Sequence, residues 1–114
     1  MGDKKDLSIC EEMVMSVIWS SKEDLTLNQV TERLKSRHGK DYAIQTVATF
    51  LTRLEKKKYI SIYRVGRYSH YHPEVSRETH IQERLTEVRD ILFDGDWYEM
   101  ADAVKKMIKA ELEE

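Results

Sequence analysis

One stretch of the chain carries side chains suited to hydrogen bonding with the edges of nucleic-acid bases. These are Gln45, Thr46, Thr49 and Arg53. Arginine can form two parallel hydrogen bonds with guanine, glutamine can do so with adenine, and threonine contacts a phosphate or the thymine methyl group. Because residues three and seven apart share one side of a helix, Thr46, Thr49 and Arg53 are presented together. We predict that this face enters the major groove; the alternative is an ordinary polar face in solvent.

Basic side chains follow this face and continue into a predicted hairpin. Lys56 and Lys57 come at the end of the helix, where they are either phosphate contacts or a favourable complement to the helix dipole. Arg64, Arg67 and Tyr68 lie at or near the hairpin tip. A hairpin tip has no core to fill, so we predict phosphate contacts there.

The distribution of charge supports a local site for a polyanion. The 114 residues have a net charge of −2. Residues 33–73 nevertheless hold ten basic and two acidic side chains, whereas residues 1–32 have a net charge of −4 and residues 74–114 one of −6. A basic segment between acidic ones indicates a nucleic-acid footprint, although a solvated charged face is the simpler alternative.

Other reactive side chains give weaker signals. His70 and His72 are two apart on a predicted strand and so share a face, where His38 or His80 could complete a nitrogen-ligand site. No cysteine or carboxylate stands at metal-ligand spacing, so we predict no metal and no cofactor. Cys10 begins a helix, where a redox role is conceivable, but a small buried residue is the preferred interpretation. No catalytic motif is present, and we predict that the chain is not an enzyme.

The elements that position the predicted site follow from periodicity. Helices are expected over residues 8–20 and 27–37, each with a capping-box spacing at its start. Gly39 is expected to end the second helix. The third helix has an inward stripe of Ile44, Val47, Leu51 and Leu54.

The period then changes to two. Residues 60–65 and 68–72 alternate as strands around Gly66-Arg67, and Pro73 ends the second. Three helices followed by a hairpin form a winged helix, in which the third helix enters the major groove. The predicted fold class is therefore mainly α with a small β-hairpin wing: a winged helix-turn-helix domain over residues 1–74, followed by C-terminal dimerisation helices over residues 75–114.

The C-terminal part has apolar stripes with little left to bury them in one copy. Helices are expected over residues 79–93 and from Trp97 to the end, with Gly95 between them. A self-complementary dimer hides both stripes, and the alternative is packing against the chain's own first domain. The residues predicted to dimerise are Ile81, Leu85, Val88, Leu92, Trp97, Met100, Val104 and Ile108.

Composition also restricts the location of the protein. No uncharged stretch is long enough to cross a bilayer, so we expect no membrane partner. The charged N-terminus lacks the apolar core of a secretory signal. A single cysteine permits no intrachain disulfide, which suits a reducing compartment. We therefore expect a cytoplasmic protein.

Several motifs resemble the penicillinase-repressor family. Residues 46–60 (TVATFLTRLEKKKYI) resemble its segment KTVxTLxxRLxKKGYI. Residues 12–19 resemble its first helix with a late tryptophan, residues 67–73 its wing, and Asp94-Gly95 the glycine between its last two helices. The resemblance extends from about residue 7 to residue 108. It implies a homodimeric bacterial repressor that binds a palindromic double-stranded DNA operator and responds to β-lactam signalling by proteolysis, or to copper.

The sequence departs from that family in ways that bear on function. Gln45 stands where lysine is frequent, Ala43 where serine often caps the helix, and Lys58 where glycine usually ends it. The cysteine cluster of the copper branch and the cleaved Asn-Phe pair of the β-lactam branch are absent. A thiolate metal site at the C-terminus is thereby excluded, and the inducer or signalling protein remains a further partner.

Two other functions compete with a repressor. A winged helix can serve as a protein-interaction module whose basic patch binds an acidic partner. An effector-responsive sensor would need a ligand pocket, to which no residue set in the sequence points. A linear loss of log affinity with log salt on a duplex, together with preference for an operator, distinguishes DNA reading from both.

Overall fold

The computed structural model describes residues 6–113. Residues 1–5, which contain most of the charged N-terminus considered above, and Glu114 lie outside the described residues. The chain forms two compact units, the first ending at Arg77 and the second beginning at Glu78.

The first two helices begin as their sequences predict. Helix α1 spans Ile9–Trp19, and helix α2 spans Leu27–His38. The capping boxes of Ser8 with Glu11 and of Thr26 with Gln29 are both formed. Gly39 ends α2 in the left-handed conformation, with φ 66°. Both helices are thus fixed by local hydrogen bonds as well as by their apolar faces.

Helix α3 spans Ile44–Lys56, and three of its four predicted inward residues are buried: Val47, Leu51 and Leu54. The prediction was wrong for Ile44, which is 37% exposed because it occupies the first turn, beyond the packed part of the helix. Ala43 supplies no side-chain cap, as its lack of a hydroxyl predicts.

The wing belongs to a sheet of three strands. Strands β2 (Ile60–Val65) and β3 (Tyr68–Pro73) form the predicted antiparallel hairpin. A further strand that no sequence pattern predicted, β1 (Leu25–Thr26), pairs with the other side of β3 and aligns Leu25 with Tyr71. Two residues are too few to show an alternating pattern, so only the pairing defines this strand.

One apolar cluster holds the first unit together. Side chains from α1, α2, α3 and the sheet contribute to it, with Met15, Leu34, Leu51 and Leu54 among the largest that are fully buried. Trp19 is half-buried rather than fully internal, and its Nε1 donates a 2.8 Å hydrogen bond to the carbonyl of Val75. These contacts fix α3 and the wing in one rigid framework.

The second unit contains most of α4 (Arg77–Leu92) and all of α5 (Trp97–Leu112). Asp94 and Gly95 between them both have positive φ, at 49° and 78°. Asp96 caps α5 by accepting hydrogen bonds from the amides of Tyr98 and Glu99. Among residues 6–113, no helix combines the length and apolar character needed to span a bilayer.

Candidate nucleic-acid interface

The outer face of α3 is exposed along its length. Gln45, Thr46, Thr49, Arg53 and Lys56 all point away from the buried side of the helix. The Thr49 hydroxyl donates a 3.1 Å hydrogen bond to the carbonyl of Gln45. Its proton is therefore used within the helix, and the groups that remain for an external ligand are its methyl group and its oxygen lone pairs.

The start of α3 is held by an aromatic contact. Tyr42, in the connection before α3, packs edge-on against Phe50, with ring centroids 5.4 Å apart. Its hydroxyl lies 3.2 Å from the sulfur of Cys10, which is half-buried rather than buried as predicted. This cluster positions the first turn of α3 relative to α1.

The wing presents its predicted polar residues at the tip. Gly66 has φ 63°, which allows the tight turn. Arg64 Nη2 donates a 3.1 Å hydrogen bond to the carbonyl of Arg67, and this contact braces the tip. Arg64, Arg67 and Tyr68 are all exposed. Since a guanidinium has five N–H donors, Arg64 keeps donors for an anion.

Lys57 differs from the other predicted DNA contacts. Its Nζ lies 2.7 Å from Oε1 of Glu11 and 2.7 Å from the carbonyl oxygen of Asp6. The Lys57 side chain is 24% exposed, and that of Glu11 is 2% exposed. The ammonium is thus used inside the protein, which argues against the predicted phosphate contact; no spacing rule relates two residues so far apart in sequence.

The histidines on β3 belong to a cluster of polar side chains that was not predicted from the sequence. Asp24 accepts a 2.7 Å hydrogen bond from the Tyr63 hydroxyl and lies 3.0 Å from Nδ1 of His72. The ring of His70 stacks on that of Tyr63. The Tyr63 hydrogen bond is the main cause that lowers the pKa of Asp24, and contact with His72 lowers it further.

This cluster ties the wing to the connection between α1 and α2. Among the described residues, no group of three or more histidine, cysteine, aspartate or glutamate side chains is arranged to hold a metal ion. The two histidines therefore have partners within the protein that account for their positions.

The residues predicted to dimerise are unevenly exposed in the second unit. Val88 and Met100 are half-buried. Trp97 is 46% exposed, and the guanidinium of Arg89 lies 4.6 Å from the centroid of its ring. The other exposed members of the set are Ile81, Leu85, Leu92, Val104 and Ile108. Beyond the set, Ile91, Met107 and Leu112 extend the apolar surface.

Comparison with known proteins places this interface in context. Residues 7–114 match the family described as penicillinase repressor. The chain is similar to the solution structure of the DNA-binding domain of the repressor BlaI, with 28% identity over 69% of this chain and 93% of that chain, at a TM-score of 0.59. No curated protein matches the chain.

A second solved structure shows a relative with DNA. It is the solution structure of the Bacillus licheniformis BlaI monomeric form in complex with the blaP half-operator. The chain is 28% identical to it over 69% of this chain and 93% of that one, with a TM-score of 0.55.

Proposed function

The chain belongs to the penicillinase repressor family, and we propose that it represses transcription by binding a palindromic operator as a homodimer, through α3 and the wing. The observation that carries this proposal is the outer face of α3, where exposed amide, hydroxyl and guanidinium groups stand together on a rigid helix. A related repressor has been solved with a half-operator, which is the DNA that one such domain would cover.

Helix α3 supplies the base contacts in this proposal. Arg53 is suited to the O6 and N7 atoms of guanine, and Gln45 to the N6 and N7 atoms of adenine. Thr46 and Thr49 each contact either a thymine methyl group or a phosphate. The buried residues on the opposite side keep the helix from rotating, so the four side chains reach the groove as one set.

The wing and the end of α3 supply backbone contacts. Arg64 and Arg67 extend from the hairpin tip, and Tyr68 is 54% exposed beside them. Lys56 is exposed at the last turn of α3. Contacts of this kind fix the register of the protein on the duplex without reading its sequence.

The proposed division of labour assigns DNA reading to residues 1–74 and dimerisation to residues 75–114. The apolar stripe of α5 is exposed in one copy, and a second copy of the chain covers it in the proposed dimer. Two α3 helices then face half-sites about one helical turn, or a multiple of it, apart. The acidic C-terminal part, residues 74–114, is repelled by the phosphates of DNA.

The proposal includes no catalytic step. The family is one of repressors, and we assign this member a binding function alone, in the cytoplasm where bacterial operators lie. An inducer or signalling protein would release the operator by acting on the dimer or on the interface described above.

Fluorescence anisotropy with Arg53→Ala tests the proposal. The duplex is one selected from a random pool by the wild-type chain, and a scrambled duplex is measured beside it at several salt concentrations. We expect Arg53→Ala to lower operator preference by about 1–3 kcal/mol if Arg53 reads a base. The control is Lys106→Ala on α5, which also removes one positive charge. Equal, weak binding of wild type to both duplexes would contradict the proposal.

A further inference from the structure

An ion pair lies where the two predicted DNA-binding elements join. Helix α3 ends at Lys56 and strand β2 begins at Ile60, so only residues 57–59 separate them. Lys57 is the C-cap of α3, and its ammonium contacts the nearly inaccessible carboxylate of Glu11 at 2.7 Å. The joint between recognition helix and wing is thereby connected to the first turn of α1.

Glu11 is itself fixed in place. Its Oε1 accepts a 2.9 Å hydrogen bond from the amide of Ser8, which closes the capping box of α1. Burial by itself raises the pKa of Glu11, but hydrogen bonds from Lys57 and Ser8 and the charge of Lys57 hold that pKa below its usual range. The carboxylate is therefore ionised at neutral pH and faces a cation that it orients.

The neighbouring lysines provide an internal comparison. Lys56 and Lys58 are exposed, whereas Lys57 is half-buried and has two oxygen atoms within 2.7 Å. Lys58 has φ 66°, and the amide of Tyr59 bonds back to the carbonyl of Leu54, so the chain turns sharply after the pair. Lys57 therefore anchors the short connection through which α3 leads into β2.

We propose that Glu11 and Lys57 are positioning residues for operator recognition, which fix the angle between α3 and the wing without contacting DNA. This inference rests on the proposed function. An ion pair of this kind contributes little net stability compared with apolar side chains of similar size. Its proposed effect here is to restrict the geometry of the groups that it joins. Lys57 thus affects the preference for the operator by positioning the connection between α3 and β2, and not by neutralising a phosphate.

The test measures the affinity for the operator and for a scrambled duplex at several salt concentrations. The variants are Lys57→Met and Glu11→Gln. Lys58→Met is the control, because it removes an adjacent exposed charge. We expect Lys57→Met to lower the preference for the operator about ten-fold, comparable with loss of one base contact. Its salt slope should stay at the wild-type value. Lys58→Met should weaken binding to both duplexes alike or leave it unchanged, and Lys57→Arg should restore preference.

Glu11→Gln distinguishes a positioning role of Lys57 from a phosphate contact, because the two roles predict opposite changes in DNA affinity. A positioning pair predicts lower operator preference when the carboxylate charge is removed. A phosphate anchor predicts tighter binding to both duplexes, because the lysine is released, together with a salt slope reduced by about one in Lys57→Met. The second pattern would overturn the inference while leaving the proposed function intact.

Loss of Lys57 leaves the buried carboxylate of Glu11 without its cation and destabilises the fold. Circular dichroism therefore checks that each variant is folded at the temperature of the titration. If a single variant is unfolded, the neutral pair Glu11→Gln with Lys57→Met is measured instead, and we expect it to show the same loss of preference. Wild-type preference in this folded double variant would overturn the inference; absence of preference in the wild type would overturn the proposed function as well.

Discussion

The two units of this chain differ in whether their apolar residues are buried. All thirteen buried hydrophobic residues of the core cluster lie before Arg77. Among the described residues after Arg77, only His80 is buried, and α5 has no buried residue. Both units nevertheless contain helices with apolar stripes. An apolar stripe therefore predicts that one face of a helix will be buried. The rest of the structure shows whether the same chain or a partner buries it.

This difference explains why the first unit can present a rigid face and the second calls for a partner. The wing and α3 are fixed by side chains of the same chain. The stripe of α5 includes Met107, 64% exposed, and Leu112, 82% exposed. Exposed large apolar side chains grouped on one helix are typical of interaction sites. In the proposed dimer, a second copy of the chain covers this stripe.

The largest expected effect is on the core of the first unit. Leu51 is 1% exposed, so Leu51→Ala should leave a cavity and lower the free energy of unfolding by about 2–5 kcal/mol. Ile9→Ala, at the start of α1, removes the same number of carbon atoms from a position that is 68% exposed and lies outside the α5 stripe. Urea denaturation compares the two; an equal loss in both variants would contradict the assignment of a self-sufficient core to the first unit.

A second prediction concerns the stripe of α5. Val104→Asp combined with Ile108→Asp places two charges in the proposed dimer interface, and we expect at least about a ten-fold rise in the dimer dissociation constant. Lys106→Asp with Lys109→Asp introduces the same carboxylates away from the stripe and should leave the dimer intact. Sedimentation equilibrium measures both, and equal dissociation would show that the stripe is not the interface.

Acidification should weaken the first unit through Glu11. The folded-state pKa of Glu11 is lowered, so its pair stabilises the fold above the ordinary pKa of a glutamate and loses this effect as pH falls through the folded-state value. We therefore expect the free energy of unfolding to fall with pH in the acid range. The Glu11→Gln variant should show a shallower fall, and an unchanged pH profile would contradict the ionic role of the pair.

The smallest expected effects come from backbone conformation in both units. Lys58 and Asp94 have positive φ without being glycine, at 66° and 49°. Lys58→Gly should raise the free energy of unfolding by about 0.5–1 kcal/mol, because glycine adopts this region without steric cost. Asp94→Gly should gain less, since aspartate tolerates the left-handed region better than lysine. A larger gain at Asp94 would reverse this expectation.

Much of the fold could be predicted from local signals. The capping boxes, the left-handed Gly39 and the turn at Gly66 all arise from residues close in sequence, and all are present. Family membership also confirms the predicted class, a DNA-binding transcriptional repressor with a winged helix. The assignment of individual residues to DNA contact or dimerisation stays a prediction.

What could not be predicted depends on contacts between distant residues. Strand β1 is defined by its pairing with β3, and Lys57 differs from Lys56 because the Glu11 carboxylate and the Asp6 carbonyl lie beside its ammonium. Asp24 likewise meets Tyr63 and His72 across the fold. The spacing of residues describes one helix or strand at a time, so it does not predict which distant residues contact each other.

The central claim is that one unit reads DNA and the other joins two copies. Its most direct test is the mass and affinity of the complex on a palindromic operator and on a single half-site, measured with the wild type and the Val104→Asp, Ile108→Asp variant. For the wild type, we predict that two chains bind the palindrome, and that they bind it more tightly than one chain binds the half-site. In the variant, we predict that the palindrome loses this higher affinity while the affinity for the half-site is unchanged. Equal affinity of the wild type for both duplexes, with one chain on each, would contradict the claim.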